Sequence, residues 1–219
     1  MDSGASTKNR PVIGSRWVFI QKYHADGFFN CSKGRLVAQG FFQHPGFEYL
    51  EGFAPTVRLP TLCIILALAA LHDLHLWSVD VPNAYLNGDM DCDVYMEQPE
   101  GFAEGNPKDV VCLLKKLLYG TKQGGNHWNC KMHTALESMD FKQTYLDATV
   151  YIFVRGDVHI ILPVFVDDMT FASKSLPAIK QAIKDLCGHF KLHDLGPTTE
   201  LLGIKINHNR SNRSLTILR

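Results

Sequence analysis

Between Leu74 and Ile206 the hydrophobic pattern changes period several times, and this alternation restricts the fold more than any single motif. Leu74 to Val81 reads as a short buried strand, and Asn126 to Met139 as a helix behind Gly124-Gly125. Three strands at hairpin spacing follow: Val150 to Val154, Val158 to Val166 and Met169 to Ala172, the first two joined by a Gly156-Asp157 turn. Ser175 and Pro177 open a helix to about Phe190, Leu195-Gly196-Pro197 ends it, and Glu200 to Ile206 forms a further strand. Strand, helix, strands, helix, strand is the split βαβ, ferredoxin-like order, so the fold class is α+β.

Upstream, Trp17 to Tyr23 and Phe28 to Phe41 predict an N-terminal hairpin turning at Ala25-Asp26-Gly27, its second strand interrupted at Gly34. Thr61 to His72 is nearly continuous in helix formers after the Pro55 and Pro60 breaks, Val111 to Tyr119 reads as another helix, and the acidic stretch to Pro107 is mostly loop. Met1 to Arg10 reads as a loose polar leader. At 219 residues the chain suits one large domain or two closely joined subdomains, and 46% apolar residues suffice for a sizeable core.

Charge narrows the function classes less than its distribution does. Twenty-two basic residues balance twenty-two acidic ones, so the total gives no support to polyanion binding. However, Leu86 to Glu104 holds six acids without a Lys or Arg, Lys108 to Lys131 five Lys against one Asp, and Lys205 to Arg219 four basic residues without an acid. One acidic site and one cationic surface can therefore coexist, although such runs are more often solvated faces. The six cysteines are scattered singly, which predicts reduced thiols in an intracellular compartment. The longest apolar run, Leu62 to Leu71, is far short of the ~20 residues that cross a bilayer, so no membrane partner is expected and this run reads as a core helix.

Asp167 and Asp168 lie at the tip between two apolar strands. Turn chemistry alone accounts for one aspartate there. Two adjacent carboxylates repel and raise one another's pKa unless a cation is shared, and magnesium, which prefers hard oxygen ligands, is the natural neutraliser. A third carboxylate, Asp80, ends the strand that would lie beside this hairpin in a split βαβ sheet. Two metal ions about 4 Å apart on such aspartates serve phosphoryl transfer, although spacing alone leaves this one option among several. Other patterns are weaker. Asp89, Asp91, Asp93 and Glu100 mimic an EF-hand with Val94 where its glycine belongs, and His127, Cys130 and His133 fan over about 120° of a helix. His189 and His193, four residues apart across a helix end, read as solvent-facing.

Seven segments occur in order: Trp17, Arg35 to Phe41, Phe53 to Arg58, Val79 to Gly88, Val94 to Phe102, Leu118 to Gln123, and Phe165-Val166-Asp167-Asp168-Met169. Together they resemble the reverse transcriptase domain of copia-type LTR retrotransposons, from about Val12 to Ile206. The resemblance implies a right-hand polymerase with a ferredoxin-like palm: a leader at 1–11, fingers at 12–54 and 88–126, palm at 55–87 and 127–206, and at 207–219 the truncated start of the primer-grip and thumb region. It further implies Asp80, Asp167 and Asp168 as catalytic ligands of two Mg2+ ions, with Mn2+ as a substitute and the carbonyl of Val81 as an extra ligand.

By the same resemblance Tyr85 lies under the incoming sugar, where it favours deoxynucleotides, the Asn83 and Ala84 amides hold the triphosphate, Lys33 and Arg35 meet it from the fingers, and Gln123 sits near the sugar. Thr121, Gly124-Gly125 and Phe165 depart from the family's usual Leu, Ala-Pro and Tyr. The implied activity is RNA-directed DNA polymerisation on an RNA or DNA template with primer and dNTPs. The implied setting is a polyprotein with thumb, RNase H, integrase and protease regions, in a cytoplasmic virus-like particle. A non-catalytic nucleic-acid-binding remnant and another palm-type nucleotidyl transferase remain as alternatives.

Overall fold

The computed structural model describes residues 2–3, 11–23, 27–106 and 110–218 of a mixed α/β chain. In chain order the elements are β1 (Asp2–Ser3), β2 (Val12–Ile13), β3 (Ser15–Tyr23), β4 (Phe29–Ala38), α1 (Leu59–Leu71), β5 (His75–Asp80), β6 (Tyr95–Glu97), β7 (Val111–Leu113), α2 (Gly124–Ser138) and β8 (Lys142–Gln143). They continue as β9 (Val150–Arg155), β10 (Val158–Phe165), β11 (Asp168–Ser173), α3 (Leu176–Leu186), β12 (His193–Pro197), β13 (Glu200–Leu201), β14 (Ile204–Asn209) and β15 (Ser214–Leu218). Contacts group the chain into two bodies: Met1–Phe53 with Tyr85–Trp128, and Ala54–Ala84 with Asn129–Arg219.

In the first body β3 and β4 form an antiparallel ribbon from Ser15↔Ala38 to Tyr23↔Phe29. Opposed residues share a face, so Trp17, Phe19 and Leu36 lie on one side while Arg16, Val18, Lys33 and Arg35 lie on the other. The expected break at Gly34 does not occur. Gly34 pairs with Phe19, whose ring would lie 3.3 Å from an added Cβ, so the aromatic side chain covers the place a β-carbon would take. The predicted turn residues Ala25 and Asp26 lie outside the described residues. Of the predicted leader, Asp2–Ser3 pair with Cys112 and Leu113, while 1 and 4–10 lie outside the described residues.

The helix predicted from Val111 to Tyr119 is instead strand β7 followed by a loop. Val111 to Leu113 pairs antiparallel with Tyr95 to Glu97, and Leu114 and Leu118 bury with Ile13, Ala38, Val94 and Met96 from non-helical backbone. Apolar spacing that resembles a helical face arises here from a strand followed by an irregular buried segment. Gly120 ends it at φ +91, where a Cβ would come within 2.1 Å of the Ala38 carbonyl oxygen, so only glycine permits this approach.

The second body is built on a six-stranded antiparallel sheet in the order β12-β5-β11-β10-β9-β8. Leu62, Ile65, Leu66 and Ala69 of α1 pack with Leu76, Val150 and Ala172 from one face of the sheet. Ala178 and Ala182 of α3 line a cavity with Phe153 and Ile160 from the other. Pro60 occupies the first turn of α1, where its missing N–H costs nothing, and Ser175 caps α3 by accepting a hydrogen bond from the Ala178 N–H at 3.3 Å.

Two predictions fail at the C-terminal side of this sheet. Leu195-Gly196-Pro197 belongs to the edge strand β12, where the register shifts between Asp194 and Gly196 and Gly196 adopts φ +83. A bulge and an edge position are where a strand tolerates Gly and Pro. The single strand expected from Glu200 to Ile206 is a hairpin, because Leu202 and Gly203 take φ of +52 and +75 and reverse the chain between β13 and β14.

Arg210 ties the β14–β15 hairpin to the α1–β5 turn. Its Nε and Nη2 donate to the two carboxylate oxygens of Asp73 at 2.8 and 3.0 Å, and Nη1 lies 2.9 Å from the His75 ring. Burial, then the Arg210 charge, hold both His75 and His208 below the ordinary imidazole value of 6.5. Unfolding raises these pKa values, so the unfolded chain binds more protons below pH 6.5. The stabilisation is complete above that pH and is lost as pH falls toward the depressed native values. Urea midpoints should therefore drop between pH 7.5 and 5.5, and a His75→Asn, His208→Asn variant should show a flatter profile; an equally steep one would exclude these histidines as the cause.

Candidate active site

The lower part of the sheet is apolar and its upper end is acidic. β5 ends at Asp80, and its antiparallel register with β11 sets Asp80 directly opposite Asp168, Val79 opposite Met169 and Ser78 opposite Thr170. Opposed residues project to one side with Cβ atoms about 4.5–5.5 Å apart, so the two carboxylates share a face. One step below, the buried Ser78 hydroxyl lies 2.7 Å from Thr198 Oγ1 and 3.4 Å from Thr170 Oγ1, so hydroxyl groups continue the polar column into the sheet.

Asp167 is held through its backbone. β10 and β11 pair up to Phe165↔Asp168, which leaves Val166 and Asp167 as a two-residue tip. Beyond the last paired residue of β5, the Val81 N–H donates to the Asp167 carbonyl at 2.8 Å. Val166 adopts φ +52, a left-handed conformation that costs a β-branched residue about 1–3 kcal/mol and persists because paired strands fix both sides of the tip.

β12 contributes a residue that the sequence pattern did not reveal. His193 is the register partner of Asp80 on the opposite side from Asp168, with Nδ1 3.4 Å from Asp80 Oδ2. Its helix-end assignment is therefore corrected to the first residue of a strand. Asn83, at φ +54, turns the chain after Val81, and a 3-10 turn over Ala84–Asn87 follows.

In the first body, Arg35 and Tyr85 converge on a ring absent from the predicted set. The Arg35 guanidinium lies 5.2 Å from the Tyr119 ring centroid, and the Tyr119 and Tyr85 centroids are 4.5 Å apart. Lys33 stands on the same face of β4, opposite Ile20. Gln123 is fully buried: its Nε2 donates to the Glu48 carbonyl at 3.0 Å and its Oε1 accepts from Gln43 Nε2 at 3.1 Å. Gln43 in turn accepts from the Lys122 N–H at 2.8 Å, so these amides hold two loops together.

The loop resembling an EF-hand divides its carboxylates between different basic side chains. Asp89 pairs with Lys116, and Asp91 lies 3.4 Å from His127. Among the described residues no three His, Cys, Asp or Glu side chains close on one point, and no helix is long and apolar enough to cross a membrane. The Asp80–Asp168 pair nevertheless fits a hard divalent cation in donor type, because the register sets two carboxylate residues opposite each other on one face, with the Val81–Asp167 backbone hydrogen bond beside them.

A family described as reverse transcriptase (RNA-dependent DNA polymerase) matches residues 4–217. The chain is 39% identical over 210 residues to a retrovirus-related Pol polyprotein from transposon TNT 1-94 of Nicotiana tabacum, covering 95% of this chain and 16% of that protein. It is 32% identical over 210 residues to the transposon Ty1-BL Gag-Pol polyprotein of Saccharomyces cerevisiae, covering 91% of this chain and 11% of that protein. The chain thus spans less than a fifth of the length of these relatives. A solved apo telomerase of Candida tropicalis, truncated from its C-terminal domain, aligns with 97% of this chain and 56% of its own at 9% identity and a TM-score of 0.44.

Proposed function

The chain belongs to the copia-type reverse transcriptase family, and from that membership we propose that it is the fingers-and-palm core of an RNA-directed DNA polymerase, which extends a primer 3′-hydroxyl with dNTPs. The observation carrying the reading is the placement of Asp80 opposite Asp168 at the end of two paired strands, with Asp167 tethered to Val81. Strand order β12-β5-β11-β10, with α2 between β5 and the β9–β10 hairpin and α3 between β11 and β12, supports a split βαβ palm. The body containing Ala54–Ala84 and Asn129–Arg219 corresponds in this reading to the palm, and the one containing the β3–β4 ribbon to the fingers.

Asp80, Asp167 and Asp168, with the Val81 carbonyl, would hold the divalent ions. Magnesium bound there supplies Lewis acidity, lowering the proton affinity of the primer hydroxyl and offsetting the triphosphate charge. Every other role falls to the chain itself. Lys33 and Arg35 bind triphosphate oxygens through charge-assisted hydrogen bonds, and the Asn83 and Ala84 amides add neutral donors. Tyr85 presents its ring to the sugar, with Tyr119 fixing its position from behind. Gln123, whose amide is already engaged, acts by holding the loop around Lys122 in place.

Primer extension on a homopolymer template tests the reading. The purified chain should incorporate dNTPs with magnesium or manganese, and Asp167→Asn should abolish incorporation while leaving the circular dichroism spectrum unchanged. Retained extension in that variant refutes the assignment. Template binding by the wild-type chain without incorporation under either metal would favour a non-catalytic remnant.

A further inference from the structure

Independently of the polymerase reading, we infer that the cavity between α3 and the six-stranded sheet binds a small organic cation, an ammonium group carried on an aromatic body.

The cavity holds about 460 Å³, within the ~300–1,000 Å³ of small-ligand sites. Its lining comes from α3, from β9 and β10, and from the chain that leaves α2. Phe141, Phe153, Ile160, Ala178 and Ala182 give it apolar walls. The two rings stand with centroids 5.4 Å apart and planes tilted by 40°. Ala178 and Ala182 stand one turn apart on α3, and their methyl groups leave open the space that larger side chains would fill. The site is remote from the acidic corner. Val158, in the lining, and Phe165, beside the Val166-Asp167 tip, lie at opposite ends of β10, about 23 Å apart at ~3.3 Å per residue.

The rim decides which kind of ligand fits. Its charged groups are Asp140, Asp185 and Arg155, two carboxylates against one guanidinium. Arg155 is already engaged: Nη2 donates to Asp140 Oδ2 at 2.8 Å, and the guanidinium lies 5.2 Å from the Phe153 ring centroid. Asp185 has a neutral partner, Oδ1 accepting from Gln181 Nε2 at 2.7 Å, and among the described residues no Lys or Arg pairs with it. Both helices also end here, since Ser138 closes α2 and Asp185 lies in the last turn of α3. A helix C-terminus carries roughly half a negative charge. Anions are therefore repelled from this rim and cations drawn to it. Arg155 already shows the arrangement such a cation takes, with a carboxylate partner and an aromatic face. The apolar walls, in turn, favour hydrocarbon over a hydrated metal ion.

Isothermal titration of the whole chain with phenylbutylamine tests the site, with phenylbutanol, phenylbutyrate and butylamine as comparators. The phenylbutylamine should bind and raise the urea midpoint. Exchanging its ammonium for a hydroxyl should weaken binding about three- to thirty-fold, the difference between a charged and a neutral hydrogen bond. Phenylbutyrate should not bind, and butylamine, without the ring, should bind about ten-fold more weakly or worse. Asp185→Asn keeps an acceptor for Gln181 and should bring the amine down to the level of the alcohol. Ala178→Phe should fill the cavity and weaken amine and alcohol alike by about ten-fold or more, with urea titration checking that each variant folds. Asp167→Asn should bind the amine as wild type does. The proposal is overturned by an amine that does not bind, by an alcohol or butylamine that binds as tightly, or by phenylbutyrate binding. Unchanged amine affinity in Asp185→Asn or in a folded Ala178→Phe also overturns it. Lost affinity in Asp167→Asn would move the amine to the acidic corner and likewise end the case for this cavity.

Discussion

Asp168→Asn should reduce magnesium-dependent primer extension by about a thousand-fold or more, since charge stabilisation worth several kcal/mol leaves with the carboxylate. Asp80→Asn should do the same, because the two residues are opposed across one register position. If they act as a unit, the double variant will be scarcely slower than either single one. Stability should move the other way. Like charges directly opposite each other in a sheet destabilise by about 0.2–1 kcal/mol, so in chelating buffer each variant should unfold at slightly higher urea than wild type. Single-turnover extension and urea titration together decide the matter. Residual extension within ten-fold of wild type in Asp168→Asn would refute the pairing as the catalytic element, and an unfolded variant would show up as a lost transition.

Phe171→Ala is expected to be the most damaging change to the fold. Phe171 is fully buried in β11, three residues beyond Asp168 and opposite Trp77. Truncating a buried phenylalanine costs about 3–5 kcal/mol, the lost transfer energy plus the cavity left behind. Folded domains are stable by only about 5–15 kcal/mol, so a large share of the margin goes. Denaturant titration should show the midpoint falling steeply with little change in slope, and Phe171→Leu should recover much of the loss. A shift below about 1 kcal/mol for the alanine variant would mean that this ring is not packed as described.

The strands that present the carboxylates were legible because their composition is consistent at every level. Val158 to Phe165 and Met169 to Ser173 are β-branched or apolar runs bounded by turn residues, and pairing followed from their spacing. Other elements misled for identifiable reasons. Val111 to Tyr119 offers leucines at helical spacing, but β6 needed a hydrogen-bonding partner and Val111 to Leu113 supplied it. Gly196 and Pro197 are ordinary breakers that a bulged edge strand accommodates, so His193 was read away from Asp80. Gln123 looked like a loop residue because a polar side chain gives no local sign of burial; only the Gln43 and Glu48 partners, far along the chain, make its interior position tolerable. Tyr119 was likewise invisible, since its contacts with Arg35 and Tyr85 come from tertiary packing and from no periodicity.

The position of β5 between β12 and β11 also governs when the acidic corner can come into being during synthesis and folding. Its two neighbours, β11 and β12, both lie far downstream, and each meets Asp80 at a register position of its own. Pairings this remote carry a high loop-closure penalty and form late, after local helices and hairpins. A nascent or clipped chain that has formed α1, α2 and the β9–β10 hairpin therefore still lacks the carboxylate pair, which comes together only once β11 docks on β5.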